Sequence, residues 1–281
     1  MKVKKDELKI KAQRAFAMPN MTFDISISTH SGLVREVNED SFSLNGYRRR
    51  REKSALTYRE QMTGGAFMLE VCDGMGGEAC GDIAAETAAV YSAALFEKLN
   101  TLPAERLEGA VNEYVAEVNG EICRLLGNSG SHRGGTTFAL VYIRGGVAYP
   151  FSLGDSRIYL CAGGNIDQIS FDHTLAMRKY MANIYTLEEA ENSPDSHKLT
   201  LFLGVDVDGR GLTAQTYEPI QLERGMKLLL CSDGLYDMCP LEEIARIMSG
   251  ETLGCAKELV KSALAHGGID NITCAAAGFI K

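Results

Sequence analysis

Five aspartates stand where apolar segments of the chain end, at Asp40, Asp73, Asp155, Asp233 and Asp270. Each one alone has an ordinary explanation, because Asp often bonds its own backbone and Asp-Gly is a common turn dipeptide. If the apolar segments are strands of one pair of sheets, however, their ends can converge and the five carboxylates would share a small volume. Such a group repels itself unless cations compensate its charge or protons bind.

Clustered carboxylates offer only oxygen ligands, which select hard cations such as Mg²⁺ or Mn²⁺ instead of zinc. Two such ions about 4 Å apart can activate a water molecule and hold a phosphate group. Arg35, five residues before Asp40, can supply the planar pair of donors that suits a phosphate. A lone arginine is by default a solvated surface charge, so this role depends on the segment around it.

The elements that must position these residues are visible in the hydrophobic pattern. Phe23, Ile25 and Ile27 alternate with polar residues, which predicts a strand. Apolar runs predict further strands at 66–72, 136–143, 147–153, 157–161, 226–231 and 272–280, several of them separated by Gly-Gly turns. Helices are predicted from a cap at Asp82 to about residue 99, and at 104–126, 241–248 and 252–266.

Strands and helices come in blocks and do not alternate strictly, which favours an α+β fold over a doubly wound parallel sheet. We expect a β-sandwich of two mainly antiparallel sheets flanked by helices, in α-β-β-α layers. Residues 21–281 are predicted to form one domain. Residues 1–20 form a basic extension, which is either a solvated tail or a docking or dimerising segment.

The composition excludes several classes of protein. The 281 residues carry a formal net charge of −8, which argues against a nucleic-acid-binding protein. The sequence shows no secretory signal and no run of about 20 apolar residues, so we expect a cytoplasmic protein that does not enter a membrane. The eight cysteines form no C-x-x-C pair and lie mostly in apolar runs, which predicts buried thiols in a reducing compartment.

An ordered series of motifs resembles the metal-dependent protein phosphatases of the type 2C (PPM) family, in particular the bacterial members. The motifs span most of the chain and are GLVREVNED (32–40), VCDGMGGEACG (71–81), GGTT (134–137), LGDSR (153–157), DHT (172–174), CSDGL (231–235) and DNIT (270–273). One Asp-Gly is weak evidence, whereas the whole series in the family's order is specific.

The resemblance implies a serine/threonine protein phosphatase with two Mn²⁺ or Mg²⁺ ions in a cleft at one edge of the sandwich. Asp73 would bridge the two metals, and the carbonyl of Gly74 would bind the second. Asp233 and Asp270 would complete the first, while Asp40 would bind or orient a metal-coordinated water. Many bacterial members carry a third, weaker metal, which maps to Asp155 and Asp233, and Arg35 would hold the substrate phosphate.

The mechanism that the resemblance implies is direct attack of a metal-activated water on phosphorus, without a phosphoenzyme. The chain also shows no C-x5-R loop that could carry a nucleophilic cysteine. Eukaryotic relatives have His after the Asp-Gly pair as the proposed general acid, whereas this chain has Met75. His173 and His30 are candidates for the general acid by residue type only, and a structural role is the simpler interpretation of each.

Two segments could influence substrate choice. Residues 47–62, with Arg48 to Arg51, are predicted to form a basic loop that is either solvated or contacts an acidic substrate or regulator. Residues 172–213, called the flap here, correspond to the family's variable segment and are expected beside the cleft.

Other functions remain open at this point. A catalytically silent relative would be expected to lack a metal-binding aspartate, and none of the mapped positions is lost. A hydrolase for small phosphoesters or nucleotides is a second possibility, although no Walker-type loop is present. A phosphatase with one dedicated regulator as its substrate is a third. The expected partners are phosphorylated proteins and a cognate serine/threonine kinase, and the expected state is a monomer.

Overall fold

The computed structural model describes residues 20–49, 54–76, 80–127, 134–205 and 211–281. The strands are β1 (Met21–His30), β2 (Ser41–Leu44), β3 (Tyr47–Arg48), β4 (Ala55–Gly64), β5 (Ala66–Cys72), β6 (Gly74–Met75), β7 (Gly135–Thr136), β8 (Phe138–Arg144), β9 (Val147–Leu153), β10 (Arg157–Ala162), β11 (Asn165–Gln168), β12 (Gln215–Thr216), β13 (Ile220–Gln221), β14 (Lys227–Cys231) and β15 (Ile272–Phe279). The helices are α1 (Cys80–Thr101), α2 (Leu107–Leu126), α3 (Leu175–Met181), α4 (Leu187–Glu191), α5 (Asp233–Tyr236), α6 (Leu241–Met248) and α7 (Thr252–Ala265).

The strands form two large antiparallel sheets. Sheet 1 has the order β11-β10-β14-β15-β1-β4. Sheet 2 has the order β12-β9-β8-β5-β2-β3, with β13 also paired to β9. A short third pair joins β6 to β7.

The two sheets pack face to face, and helices cover both outer faces. Phe23 of β1 and Phe67 of β5 meet between the sheets, with ring centroids 5.1 Å apart. Helices α1 and α2 pack on the outer face of sheet 2, and α5, α6 and α7 pack on that of sheet 1. The predicted α-β-β-α sandwich is therefore confirmed. Because both faces of each sheet are covered, a strand such as β5 is apolar almost throughout.

Strand register brings the ends of several strands to one edge of the sandwich. Ser41 at the start of β2 lies opposite Cys72 at the end of β5. In sheet 1, Cys231 at the end of β14 lies opposite Arg157 on one side and Cys274 on the other. The loops that leave these positions carry the five aspartates, so the sequence-based expectation that the strand ends converge agrees with the register.

Residues 47–62 differ from the basic loop that the sequence predicts. They include β3 and most of β4, a ten-residue strand at the edge of sheet 1 whose one partner among the described strands is β1. Charged residues are tolerated there because one face of an edge strand stays exposed, while Leu56, Tyr58 and Met62 pack toward the inter-sheet core. Residues 50–53 lie outside the described part of the chain.

Other sequence-based expectations have mixed outcomes. The predicted extension lies outside the described residues except for Asn20. Helix α1 begins at Cys80, so Asp82 lies in its first turn and does not precede it. The flap contains two short helices, α3 and α4, that the sequence pattern does not predict.

Six of the eight cysteine side chains are buried, as the apolar runs around them predict. None of the helices in the described residues has the length and apolar character that crossing a bilayer requires.

Candidate metal centre

The five aspartates occupy loops at the shared edge of the two sheets. Asp40 directly precedes β2, and Asp73 directly follows β5. Asp155 lies in the turn between β9 and β10, Asp233 is the first residue of α5, and Asp270 lies shortly before β15. The sequence separation of these residues is large, and only the pairing of the sheets places them in one region.

Four of the aspartates lie near enough to Asp73 for their charges to act on its carboxyl group. The pKa of Asp73 is raised well above its ordinary value, first by burial and then by the negative charges of Asp233, Asp40, Asp155 and Asp270. A carboxyl group that is surrounded by four others favours its protonated form unless a cation offsets the charge. The structure thus brings together all five aspartates that the sequence singled out.

Asp40 is fully buried, and only one of its carboxylate oxygens has a hydrogen-bond partner. Oδ2 accepts a hydrogen bond of 2.7 Å from Oγ of Ser232, whereas Oδ1 has no partner among the described residues. Burial raises the pKa of Asp40 to about 7, and the charges of Asp233 and Asp270 add to the effect. A buried oxygen without a partner is costly, and a bound cation would satisfy it.

Asp155 lies near enough to Asp233 for the charge of Asp233 to act on it. Burial raises the pKa of Asp155 well above its ordinary value, and the charge of Asp233 adds to this. Burial also raises the pKa of Asp233 to about 6, with further contributions from Asp237 and Asp270. This proximity is what a cation shared between Asp155 and Asp233 would need.

The loop of Asp73 is held by residues of two other motifs. The amide of Asp73 donates to Oγ1 of Thr137 at 2.8 Å, and the amide of Thr137 donates to the carbonyl of Asp73 at 2.9 Å. The hydroxyls of Thr137 and Ser156 lie 2.6 Å apart in a hydrogen bond. These contacts give the GGTT and LGDSR motifs a physical role, because they fix the position of the Asp73 backbone.

Gly74 lies where three backbone segments cross. A Cβ atom at this position would lie 2.2 Å from the carbonyl oxygen of Gly81 and 2.6 Å from that of Glu39. Glycine is therefore required by close approach. The side chain of Glu39 shares this crowded region, and burial followed by the charge of Asp82 raises its pKa.

Arg35 lies at the rim of the acidic group, with its side chain 53% exposed. Its Nη2 donates to Oδ2 of Asp270 at 2.6 Å, and this contact raises the pKa of Arg35. The guanidinium is thus beside a proposed metal ligand and still accessible to an incoming phosphate.

Three supporting residues were not predicted as part of the site. Asn271 accepts a hydrogen bond from the amide of Glu39 at 2.7 Å and donates to the carbonyls of Ser31 and Val37, both at 2.9 Å. Ser232 bonds Asp40, and Asn38 accepts from the amide of Asp40 at 3.1 Å. Each is adjacent in sequence to a predicted aspartate or lies within the same motif, which is the only signal that the sequence offers for them.

The two histidines considered as general acids both hold turns. Nδ1 of His173 accepts a hydrogen bond from the amide of Gly154 at 3.0 Å, and burial lowers the pKa of His173. Nδ1 of His30 accepts from the amide of Gly32 at 2.9 Å. Both contacts agree with the structural interpretation of these residues.

The flap lies beside the aspartates. A cavity of about 320 Å³ lies between the flap and the segment around α5, and its lining includes Met177, Leu187, His197, Tyr236 and Asp237. Ligand atoms of His197, Asp233 and Asp237 lie within 4.8 Å of one another. His197 and Asp237 are titratable neighbours of the site and are not among the residues predicted from the sequence.

The donor set suits a hard divalent cation. It consists of carboxylates from loops of both sheets, Oδ1 of Asp40 has no hydrogen-bond partner in the described part of the chain, and neighbouring carboxylates raise the pKa of Asp73. Oxygen donors in this arrangement favour Mg²⁺ or Mn²⁺ over softer metals.

Comparisons with known proteins agree with this geometry. A family model for protein phosphatase 2C matches residues 56–264. The serine/threonine phosphatase stp of Listeria monocytogenes is 31% identical over 235 residues, which cover 80% of this chain and 92% of stp. The protein phosphatase PhpP of Streptococcus pneumoniae is 31% identical over 255 residues, which cover 90% of this chain and 96% of PhpP.

A solved structure shows the same fold with metals bound. The catalytic domain of the serine/threonine protein phosphatase PstP, in complex with two manganese ions, has a TM-score of 0.70 and 25% sequence identity, and the match covers 93% of this chain and 100% of that domain. The family match, the relatives and the shared fold together show that this chain belongs to the protein phosphatase 2C family of bacterial serine/threonine phosphatases.

Proposed function

We propose that this protein hydrolyses phosphoserine and phosphothreonine in other proteins at a binuclear Mn²⁺ or Mg²⁺ centre. The ligands would be Asp40, Asp73, the carbonyl of Gly74, Asp233 and Asp270, with Asp155 and Asp233 available to a third ion. The observation that carries the proposal is the convergence of five aspartates, four of whose charges act on the buried carboxyl group of Asp73.

Divalent cations in this site would supply a water molecule of lowered pKa and would offset the charge of the substrate phosphate. The protein's own residues would do the remaining work. Arg35 would bind phosphate oxygens through its planar donors, as its place beside Asp270 and its exposure allow. Thr137 and Ser232 would hold Asp73 and Asp40 in place.

The substrate class is inferred from the relatives, whose names describe serine/threonine phosphatases. A cognate serine/threonine kinase is part of the proposal, since it must supply the phosphorylated substrate. The cavity between the flap and Tyr236 and Asp237 would receive residues that flank a phosphorylated side chain, and its shape would favour some substrates over others. A catalytically silent relative is disfavoured because every mapped aspartate is present in the sequence.

The test is hydrolysis of a phosphothreonine peptide by the full chain with Mn²⁺, with and without excess EDTA. We expect activity that EDTA abolishes and added Mn²⁺ restores. Asp73→Asn should be inactive and folded, whereas Asp167→Asn, on the exposed strand β11, should retain full activity. An active Asp73→Asn protein would refute the site. Faster hydrolysis of nucleotides or p-nitrophenyl phosphate than of the peptide would support the small-phosphoester alternative.

A further inference from the structure

One arginine of the basic segment is buried and does not face the solvent. Arg49 directly follows β3, and only 3% of its surface is exposed. Its neighbour Arg48 is oriented differently, since its side chain is 37% exposed and its Nε lies 3.2 Å from Oε1 of Glu86. Burial of an arginine is costly and is tolerated where its donors are used by the protein.

Nη2 of Arg49 donates to two backbone carbonyls of the proposed metal centre. The acceptors are the carbonyl oxygen of Asn38, at 3.0 Å, and that of Asp40, at 2.6 Å. These carbonyls bracket Glu39, so a single guanidinium nitrogen holds both ends of the turn that presents Asp40. The carboxylate of Asp40 itself is not the acceptor of either hydrogen bond.

Hairpin geometry explains how Arg49 reaches this turn. The strands β2 and β3 are joined by Asn45 and Gly46, whose φ angles of 50° and 87° belong to a two-residue hairpin turn. The register places Ser43 opposite Arg48. Continued by one residue, this register places Arg49 opposite Phe42, two residues from Asp40, and the long side chain spans the remaining distance. A shift in register by one residue would turn Arg49 to the opposite face of the hairpin.

The other contacts of the turn come from different directions. The side chain of Asn38 accepts from the amide of Asp40 and donates to Oγ1 of Thr29 at 2.9 Å. The amide of Glu39 donates to Asn271. Arg49 binds the carbonyls of the same turn, so both the amides and the carbonyls of the turn have hydrogen-bond partners.

We propose that Arg49 is a positioning residue for the metal centre, and that it acts by holding the backbone carbonyls of Asn38 and Asp40 so that the carboxylate of Asp40 is directed at the cation. The inference rests on the proposed function, because it assumes that Asp40 binds or orients a group at a metal. Residues that orient metal ligands commonly change metal affinity by about 10–100-fold when they are replaced.

Lysine should replace Arg49 only in part. An ammonium group can donate to two carbonyls, but it is a compact point charge on a flexible stem and it is more strongly hydrated than a guanidinium. Methionine fills a similar volume and offers no donor. The series Arg, Lys and Met at position 49 thus varies the hydrogen bonds while the bulk of the side chain is largely kept.

The experiment is calorimetric titration of the full chain, freed of metal with EDTA and dialysed, with Mn²⁺. Arg49→Met should bind Mn²⁺ about 10-fold or more weakly than the wild type, and Arg49→Lys should lie between the two. Arg48→Met is the matched control and should bind as the wild type does. At saturating Mn²⁺, Arg49→Met should lower kcat for a phosphothreonine peptide and leave KM unchanged, because Arg35 is untouched.

A purely structural role gives a different result. The melting temperature without metal would fall in Arg49→Met, while the affinity of the folded protein for Mn²⁺ would stay at the wild-type value, and this outcome overturns the proposal. If Arg49→Met does not fold, the Mn²⁺ affinity of Arg49→Lys tests the proposal instead. An unchanged affinity in Arg49→Lys would overturn the proposal. A wild-type protein that binds no Mn²⁺ at all refutes the proposed function first, and the role of Arg49 with it.

Discussion

Ser232 donates a hydrogen bond of 2.7 Å from its hydroxyl to Oδ2 of Asp40, a residue 192 positions earlier in the chain. The same hydroxyl accepts a hydrogen bond of 2.9 Å from the amide of Thr273. Ser232 therefore links the loop before β2 in sheet 2 to strands β14 and β15 in sheet 1. One oxygen of Asp40 is oriented by the protein, and the other remains available for a cation.

Replacing Ser232 with Ala should weaken Mn²⁺ binding by about 10-fold, because Asp40 loses the contact that orients its carboxylate. Isothermal titration calorimetry of the metal-free protein measures this directly. Ser249→Ala is a suitable control, since the hydroxyl of Ser249 donates to a carbonyl within α6 on the surface. Equal Mn²⁺ affinity in Ser232→Ala and the wild type would show that the orientation of Asp40 does not depend on this hydrogen bond.

Arg35→Ala should chiefly raise KM for a phosphopeptide. Hydrogen bonds to charged groups contribute about 1.5–3 kcal/mol, which corresponds to an increase in KM of roughly 10-fold or more. Steady-state kinetics at saturating Mn²⁺ measures the effect, and Arg59→Ala, on the exposed edge strand β4, serves as the control. Unchanged KM in Arg35→Ala would mean that Arg35 does not contact the phosphate.

Much of this fold is predictable from the sequence because the sandwich covers both faces of its central strands. Apolar runs such as Ala66–Cys72 then stand out, and the aspartates at their ends mark the edge where loops meet. Strand β4 does not stand out in the sequence because an edge strand needs only one apolar face, and its charged residues resemble those of a loop. Periodicity identifies buried elements more reliably than exposed ones.

The supporting contacts of the site could not be predicted in the same way. Asn271 and Val37 are 234 residues apart in sequence, and nothing in either residue type indicates that they share a hydrogen bond. The burial of Arg49 likewise follows from hairpin register, whereas its neighbours in the sequence suggest a solvated charge run. Residue type and local pattern indicate the candidate ligands, and three-dimensional pairing determines what orients them.

Gly74→Ala should destabilise the protein by about 3 kcal/mol, as overpacking of a tight site does. The new Cβ would meet the carbonyl oxygen of Gly81 at 2.2 Å, so backbone must move. Gly109→Ala, in α2, should instead stabilise the protein by roughly 0.5 kcal/mol, because alanine favours a helix more than glycine does. A Cβ atom added at Gly109 would have no other atom within 4 Å among the described residues. Urea denaturation in EDTA compares the two variants, and similar stability for both would contradict the close approach at Gly74.

Asp73→Asn should have opposite effects on stability with and without metal. Burial and four neighbouring carboxylates raise the pKa of Asp73, so its ionised form opposes folding at neutral pH when no cation is bound. In EDTA the variant should therefore melt above the wild type, by about 2–6 °C. In excess Mn²⁺ the order should reverse, because the wild type gains the free energy of metal binding.

Differential scanning fluorimetry at pH 8 tests this crossing of melting temperatures. Asp167→Asn removes one exposed carboxylate and controls for the change in net charge. If Asp73→Asn were less stable than the wild type in EDTA as well, the acidic group would not be under electrostatic strain in the metal-free protein.

Glu70 should give the protein a pH-dependent stability that does not involve the proposed metal ligands. It is fully buried beneath α1 and α2, where Oε1 accepts a hydrogen bond of 2.7 Å from the hydroxyl of Tyr114. Burial raises the pKa of Glu70 from 4.5 to about 7. Between pH 4.5 and pH 7, Glu70 is ionised in the unfolded chain and still protonated in the native protein. The contribution of Glu70 to the free energy of unfolding therefore falls as the pH rises from about 4.5 to about 7, and it is constant above that.

Glu70→Gln keeps the shape of the protonated side chain and removes its titration. Relative to the wild type, the variant should therefore become more stable as the pH rises, with a difference of ~2 kcal/mol between pH 5 and pH 8, since each pKa unit corresponds to about 1.4 kcal/mol. Urea denaturation at both pH values measures it, and taking the difference from the wild type cancels the titration of the aspartates. Glu117→Gln, an exposed carboxylate of α2, is the control. A Glu70→Gln variant whose stability relative to the wild type is the same at pH 5 and pH 8 would place the ionisation of Glu70 at its ordinary value.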